Sequence, residues 1–537
     1  MADAVVISGD RQDQLSGVRS RAARLGAGLR SLGVGPGDRY GILMRNETGF
    51  LEANLAAQAI GAVPVPINWH WTGADLAHLL ADSGVTVVVG HTDLLPAVER
   101  LAAPHVRLVE APVPPEVARA YRLGDVPLTG RFPTTTELVD GHSEAAGGAA
   151  PPMSVIYTSG TTGLAKGILR EPVTDAAALL GLLRRVMGFA PGGTTLLPAP
   201  LYHSAPNVAA TFAAAMGLNL VILPRFDPEE FLRAVEGHRV TSVQMVPTMF
   251  VRLLQLPGEV RARYDVSSLE SVVHAAAPCP PEVKRAIIGW FGPIVSEYYG
   301  GSEGGTWVHC DSAEWLAHPG TVGKPVLDAR IKILGPDRRE VPVGQIGVIY
   351  GRSPSVWPDF TYLNDDAKRR DIDAGDGFIT VGDVGRVDAD GFLYLTDRLN
   401  DMVISGGVNI YPAEIEACLS TLDGVADSAV FGVPDQDLGE VVAAHVQVRP
   451  GRTLSEADVR EHVEHNLARY KVPRVVAFEA ELPREDSGKL FKRRLKERYR
   501  NGSPGPAGPH DDEGAGHDRA GGGSRGGDDP LQQARPQ

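Results

Sequence analysis

The chain has 537 residues, 43% hydrophobic and 22% charged, proportions of a soluble globular protein with room for more than one core. A formal net charge of −14 disfavours a general nucleic-acid surface, and the three cysteines, Cys279, Cys310 and Cys418, lie far apart without a CxxC pair, which argues against a disulfide framework or a zinc site and fits a reducing cytoplasm. The N-terminus has no basic segment ahead of an apolar core, so no secretory signal is expected. The longest apolar run, Phe212 to Leu223, is too short for a bilayer and contains Asn219, so no stable membrane insertion is expected.

Helix and strand patterns alternate over the first hundred residues. Leu15, Val18, Ala22, Leu25, Leu29 and Leu32 recur at helical spacing. A turn from Gly33 to Gly37 leads to a strand from Tyr40 to Met44. Leu51 to Ala62 predicts a helix, Val63 to Ile67 a strand, Ala74 to Ala81 a helix and Val85 to Val89 a strand. Such alternation implies parallel sheet covered by helices. It resumes after residue 167 and continues to about residue 300. From there to residue 397 helices thin out, and Arg330 to Leu334 and Gly347 to Tyr350 predict a small β region. A compact α+β unit of about 100 residues follows. Its strands are Met402 to Ser405, Val425 to Val433 and Val441 to Val448; its helices are Pro412 to Leu422, Ser455 to Ala468 and Leu490 to Tyr499. After residue 500 the chain is Gly, Pro, Asp, His and Arg with almost no large apolar residue, and disorder is expected.

The most informative stretch runs from Tyr157 to Gly167. Thr158, Ser159, Thr161 and Thr162 supply hydroxyls, Gly160 and Gly163 let the backbone turn tightly, and Lys166 adds a charge. This is a cradle for a polyphosphate. It is not a Walker A loop, because Lys166 is followed by Gly167 rather than Ser or Thr. Further segments carry chemistry in chain order: Pro200-Leu-Tyr-His203-Ser-Ala-Pro206, His274-Ala-Ala-Ala-Pro278, Tyr298-Tyr-Gly-Gly-Ser-Glu303-Gly304, Thr380-Val-Gly-Asp383 with Asp397-Arg398-Leu-Asn400, Ser405-Gly-Gly-Val-Asn-Ile-Tyr-Pro412, and Ser487-Gly-Lys489. His309-Cys310 is a lone pair of potential ligands that reads as structural.

Together these segments resemble the adenylate-forming superfamily of acyl-CoA synthetases, luciferases and peptide-synthetase adenylation domains. The likeness covers nearly the whole chain except the tail. The family usually has proline at Ala165 and threonine at Ser302, and Lys or Asp is common at Asn400. The resemblance implies an α/β fold: a large N-terminal domain (1–397) of helix-covered, mainly parallel sheets plus a small β region, a hinge (398–400), a mobile small α+β domain (401–500) and a disordered tail (501–537).

It also implies roles. Thr158, Ser159, Gly160, Thr161, Thr162, Gly163 and Lys166 hold the β- and γ-phosphates of ATP. His203 lines the acyl pocket and thiol path. Ala276, Ala277 and Pro278 form an adenine wall, with Ala275 nearer the acyl group. Tyr299 stacks on adenine beside Gly300, Ser302 binds a phosphate oxygen, and Glu303 is the Mg²⁺ ligand. Asp383 accepts hydrogen bonds from the ribose hydroxyls, and Arg398 contacts the ribose or phosphate side. Lys489 is the catalytic lysine of adenylation. Gly406 and Gly407 let the narrow arm of coenzyme A approach, with Lys471 and Arg474 placed for its nucleotide end.

The implied activity is an AMP-forming acyl-CoA synthetase. A carboxylic acid, expected to be apolar from the alanine-rich 208–216 and 274–277 segments, becomes an acyl-adenylate and then a thioester. Two alternatives stand beside it: the same adenylation with an amine or carrier-protein thiol as acceptor, and a nucleotide-binding sensor without turnover.

Overall fold

The computed structural model describes residues 3–145, 153–158, 165–399, 401–484 and 490–500. Two parallel sheets face each other across a layer of helices. The first has the strand order Val63–Pro66, Arg39–Leu43, Val87–His91, Arg107–Ala111. The parallel part of the second runs Val295–Gly301, Ser271–His274, Ser242–Met245, Thr194–Leu197, Asn219–Ile222, Val5–Ser8. The helices Leu15–Ser31, Thr48–Ile60, Ala176–Met187 and Ser204–Met216 share one core with Ile42, Val87 and Val89 of the first sheet and Leu197, Ile222 and Val273 of the second.

Neighbouring strand residues face opposite ways. Val88 joins a core on the outer side of the first sheet. Leu196, Val221 and Val272 join one under the helices Pro228–His238, Pro247–Leu254 and Pro281–Phe291. Both faces are therefore buried, which is why these strands read as unbroken apolar runs.

The expected α/β architecture is present, with local differences. The strand expected at Val85 to Val89 is Val87–His91, because the helix before it ends on left-handed Gly84 (φ 62°) and Val85 belongs to the connection. The apolar run Phe212 to Leu223 divides at left-handed Gly217 (φ 71°) into the end of one helix and the strand Asn219–Ile222. The hairpin Val5–Ser8 and Arg11–Gln14 was not anticipated; Val6 pairs in parallel with Leu220.

Past the strand Gly305–Cys310 the long sheet turns antiparallel, through Thr321–Pro325, Leu393–Arg398, Asp383–Val387, Gly347–Arg352 and Arg330–Leu334. This is the small β region. A separate hairpin, Ile156–Thr158 with Lys166–Arg170, is widened by Phe360–Tyr362. In the C-terminal unit the strands Val425–Asp435 and Gly439–Val448 pack against the helices Pro412–Ser420 and Glu456–Asn466, and the capping box forms between Ser455 and Asp458. Its parallel strand Val475–Glu479 was not expected. The expected hinge residue Asn400 and the tail 501–537 lie outside the described residues, and no described helix is long and apolar enough to cross a membrane.

Candidate active site

His203, the Ala275 to Pro278 segment, and Ser302 with Glu303 follow the carboxyl ends of the strands Thr194–Leu197, Ser271–His274 and Val295–Gly301 of the long sheet, the end at which open α/β sheets bind ligands. Thr158 and Lys166 face each other as the last and first residues of the paired strands Ile156–Thr158 and Lys166–Arg170. Ser159, Gly160, Thr161, Thr162 and Gly163 lie outside the described residues. The stem is fixed by two part-buried hydrogen bonds. The Tyr157 hydroxyl donates to Asp82 Oδ2 at 2.7 Å, and the His78 ring meets the Ala165 carbonyl at 2.8 Å.

Lys166, Ile168 and Arg170 share one face of their strand. Burial, then the charge of Lys368, lowers the Lys166 pKa. Its Nζ stands 5.4 Å from the centroid of the Tyr362 ring, and the Tyr362 hydroxyl donates to Glu303 Oε1 at 2.9 Å. Arg170, 5% exposed, donates to the carbonyls of Ser302 and Glu303, the latter at 2.9 Å, and lies over the Trp357 ring. Burial pushes its pKa down to about 10, so it remains a cation at neutral pH. Arg170 thereby ties the hairpin of Ile156–Thr158 and Lys166–Arg170 to the segment carrying Glu303. Neither Arg170 nor Tyr362 was singled out from the sequence.

Ser302, Glu303 and Gly304 form the tip of the hairpin between Val295–Gly301 and Gly305–Cys310. The tip is tight: a Cβ on Gly300 would stand 1.8 Å from the Gly305 carbonyl oxygen. Glu303 Oε1 is held by Tyr362, and a Cβ on Gly301 would stand 3.0 Å from Oε2. One fixed carboxylate suits Mg²⁺, which takes few protein ligands alongside phosphate oxygens and water. Among the described residues no group of three or more His, Cys, Asp or Glu gathers to hold a metal. His309 and Cys310 are adjacent on one strand, so their side chains face opposite sides and do not form a joint site.

Asp383 is 8% exposed and accepts a 2.8 Å hydrogen bond from the Tyr299 hydroxyl. Its cross-strand partner is Arg398, whose Nε is 3.4 Å from Oδ1. Burial raises the Asp383 pKa, opposed by Arg398 and Tyr299, while Glu303 adds to the rise. Tyr299, which donates to Asp383, and Glu303 lie on the same hairpin. Tyr299 departs from expectation. Its ring is buried edge-on against Trp307 and its hydroxyl is committed to Asp383, so most of its surface is taken by the protein. It holds Asp383 rather than offering an open stacking face.

Of the expected adenine wall, Ala275 is buried, while Ala276 and Pro278 are exposed and Ala277 is half-buried. Ala276 has φ 73°, a left-handed conformation that L-residues rarely adopt and that tends to be retained at ligand sites. His203 sits immediately before the helix Ser204–Met216, half-buried, with its ring centroid 4.4 Å from that of Tyr202. Its loop is pinned by Asn46, which accepts from Leu201 N and donates to the Ala199 carbonyl, both at 2.8 Å.

In the C-terminal unit Gly406 and Gly407 (φ 55° and 82°) form the exposed turn between Val403–Ser405 and Val408–Ile410, flanked by the exposed apolar side chains of Ile404 and Val408. Lys489 lies outside the described residues. The Lys471 expectation is revised: its ammonium pairs with Glu414 at 2.5 Å, whereas Arg474 is exposed and 3.7 Å from Asp435. The two units touch where Ala413 N donates to Asp397 Oδ2 at 2.8 Å and Ser420 Oγ donates to Glu282 at 3.1 Å.

Known proteins match this arrangement along the chain. The pattern of AMP-binding enzymes matches residues 3–360, and that of the AMP-binding enzyme C-terminal domain matches 414–489. A (methyl-dioxo-octahydroindenyl)propanoyl:CoA ligase of Mycobacterium tuberculosis is 35% identical over 515 residues, covering 92% of this chain and 95% of that protein. A feruloyl-CoA synthase of an Amycolatopsis species is 33% identical over 481 residues, covering 89% and 92%. The solved amide bond synthetase McbA of Marinactinospora thermotolerans is 25% identical with a TM-score of 0.79, covering 93% and 97%. With both regions matched in order, and relatives aligned over nine-tenths of its length, the chain belongs to the family of AMP-binding enzymes.

Proposed function

We infer that the protein is an AMP-forming acid–thiol ligase, which activates a carboxylic acid with ATP and passes the acyl group to coenzyme A. The observation that carries this reading is two clusters borne on one hairpin: Lys166, Tyr362 and Glu303 at its tip, and Tyr299, Asp383 and Arg398 beside its first strand.

The phosphate hairpin 158–166 receives the triphosphate, with Lys166 and the loop N–H groups as donors. Glu303 would hold Mg²⁺, which when bound supplies positive charge against the phosphates. Asp383 accepts from the ribose hydroxyls, and the left-handed Ala276 segment offers adenine a wall of backbone. A substrate carboxylate oxygen bonds to the α-phosphorus, the bond from that phosphorus to the bridging oxygen breaks, and pyrophosphate leaves. Lys489 serves this step as a fixed charge between two approaching anions. The C-terminal unit then turns, and the Gly406-Gly407 face replaces Lys489. The CoA sulfur bonds to the acyl carbon, its proton goes to solvent, and AMP leaves. The alanine-rich segments 208–216 and 274–277 favour an acid with a mainly apolar body, His203 lining its path.

ATP–pyrophosphate exchange over a panel of acids, followed by thioester mass and AMP release with CoA, tests the reading. No exchange with any acid overturns it. The likeness to an amide bond synthetase favours one second reading, an amine acceptor. Competition between CoA and amines at equal concentration decides: dominant amide moves the assignment to that reading and leaves adenylation intact.

A further inference from the structure

We propose that a surface groove on the small β region is a second anion site, built for one phosphate-type oxyanion and separate from the nucleotide site. The groove is open to solvent and offers about 640 Å³, of which one oxyanion would take only a part. Arg330 and Arg352 line it and stand directly opposite each other in the antiparallel pair Arg330–Leu334 and Gly347–Arg352. Like charges in that relation destabilise a sheet. Lys332, two residues along, puts a third cation on the same face, with Nζ 4.0 Å from the centroid of the Phe378 ring. Among the described residues none of the three has an ion-pair partner, and exposed Asp328 feels Arg352 without touching it, whereas neighbouring Arg339 pairs with Asp337 at 3.9 Å.

The far rim is a turn of left-handed residues. Gly375, Asp376 and Gly377 are left-handed in succession (φ 88°, 54° and 75°), and Asp376 lines the groove with Glu340. Three cations against two carboxylates suit one small anion better than an acidic protein surface. Two guanidinium forks on opposed residues can each donate to the oxygens of a single tetrahedral anion, which removes the repulsion between them.

Phosphate monoesters and free phosphate share this chemistry, and the test separates them. Inorganic phosphate is titrated calorimetrically, at constant ionic strength, into full-length protein saturated with 5′-O-sulfamoyladenosine, which fills the nucleotide site without bringing a phosphate. The native chain, Arg330→Gln/Arg352→Gln and a nearby control, Arg339→Gln, are compared. Saturable one-to-one binding is expected in the native and control proteins, weakened at least about tenfold in the double variant. The double variant should keep ATP–pyrophosphate exchange and, without phosphate, melt no lower than the native chain, because a repulsive pair has gone. Displacement of phosphate by CoA and not by 3′-dephospho-CoA assigns the site to a nucleotide 3′-phosphate; displacement by neither assigns it to a free phosphate. Equal binding by native and double variant, or no binding by the native chain, overturns the proposal.

Discussion

Replacing Tyr299 with phenylalanine removes one hydroxyl from the site and leaves the ring packed against Trp307. The lost group is the 2.8 Å donor to Asp383, a buried carboxylate whose other charged partner, Arg398, stands 3.4 Å away. A hydrogen bond to a charged group contributes about 1.5–3 kcal/mol, which corresponds to a loss of roughly tenfold to 150-fold if ribose binding needs ionised Asp383. The direction with pH follows from the charges. Burial already raises the Asp383 pKa, and the Tyr299 bond opposes that rise. Without the bond the pKa climbs further, so the acidic limb of ATP–pyrophosphate exchange should move toward neutral pH. Stability moves in the same sense. A carboxyl with a folded pKa above its unfolded value stabilises the fold fully below the unfolded value, and that contribution is lost as pH rises through the folded pKa. Tyr299→Phe enlarges the loss, so its melting temperature should fall below the native value near neutral pH and approach it in acid. An unmoved acidic limb together with a melting difference constant over pH would refute the role given to Tyr299.

Glu303→Gln should raise the Mg²⁺ concentration needed for half-maximal exchange and leave the melting temperature nearly unchanged, since the amide oxygen can still accept from Tyr362; a magnesium titration checks it. Lys489→Ala should abolish adenylate formation yet retain thioester formation from supplied acyl-adenylate and CoA, and equal loss in both half-reactions of a folded variant contradicts the domain turn. Gly300→Ala should lower stability by about 1–3 kcal/mol or prevent folding, read by thermal melting, because its Cβ would stand 1.8 Å from the Gly305 carbonyl oxygen.

The fold was legible where periodicity is strong. The stripe from Leu15 to Leu29 became one buried helix face, and the valines of Val87–His91 became a strand covered on both sides. It was illegible where pairing partners are distant. Arg11 to Gln14 is polar throughout and becomes a strand only because Val5–Ser8 lies beside it on the edge of the long sheet. Val475–Glu479 is short and pairs in parallel with a strand some thirty residues earlier. Nothing local announces either one.

The site divides along the same line. Residues that would meet ligands sit in compact segments whose composition betrays them: hydroxyls with glycines around Lys166, a glutamate after paired glycines, an aspartate beginning a strand. Residues that hold those groups do not. Arg170 looks like the end of a strand and Tyr362 like an ordinary aromatic among loops, since each acts on a partner more than fifty residues away. Tyr299 shows the converse error. Its motif position suggested a ligand contact, while the pleat of Val295–Gly301 turns it inward with Val295 and Glu297, and its hydroxyl finds Asp383. A motif names which residues gather at a site; side-chain direction decides which touch substrate and which keep others in place. That is why the pH response of Tyr299→Phe tests the site more sharply than deletion of any group expected to touch substrate.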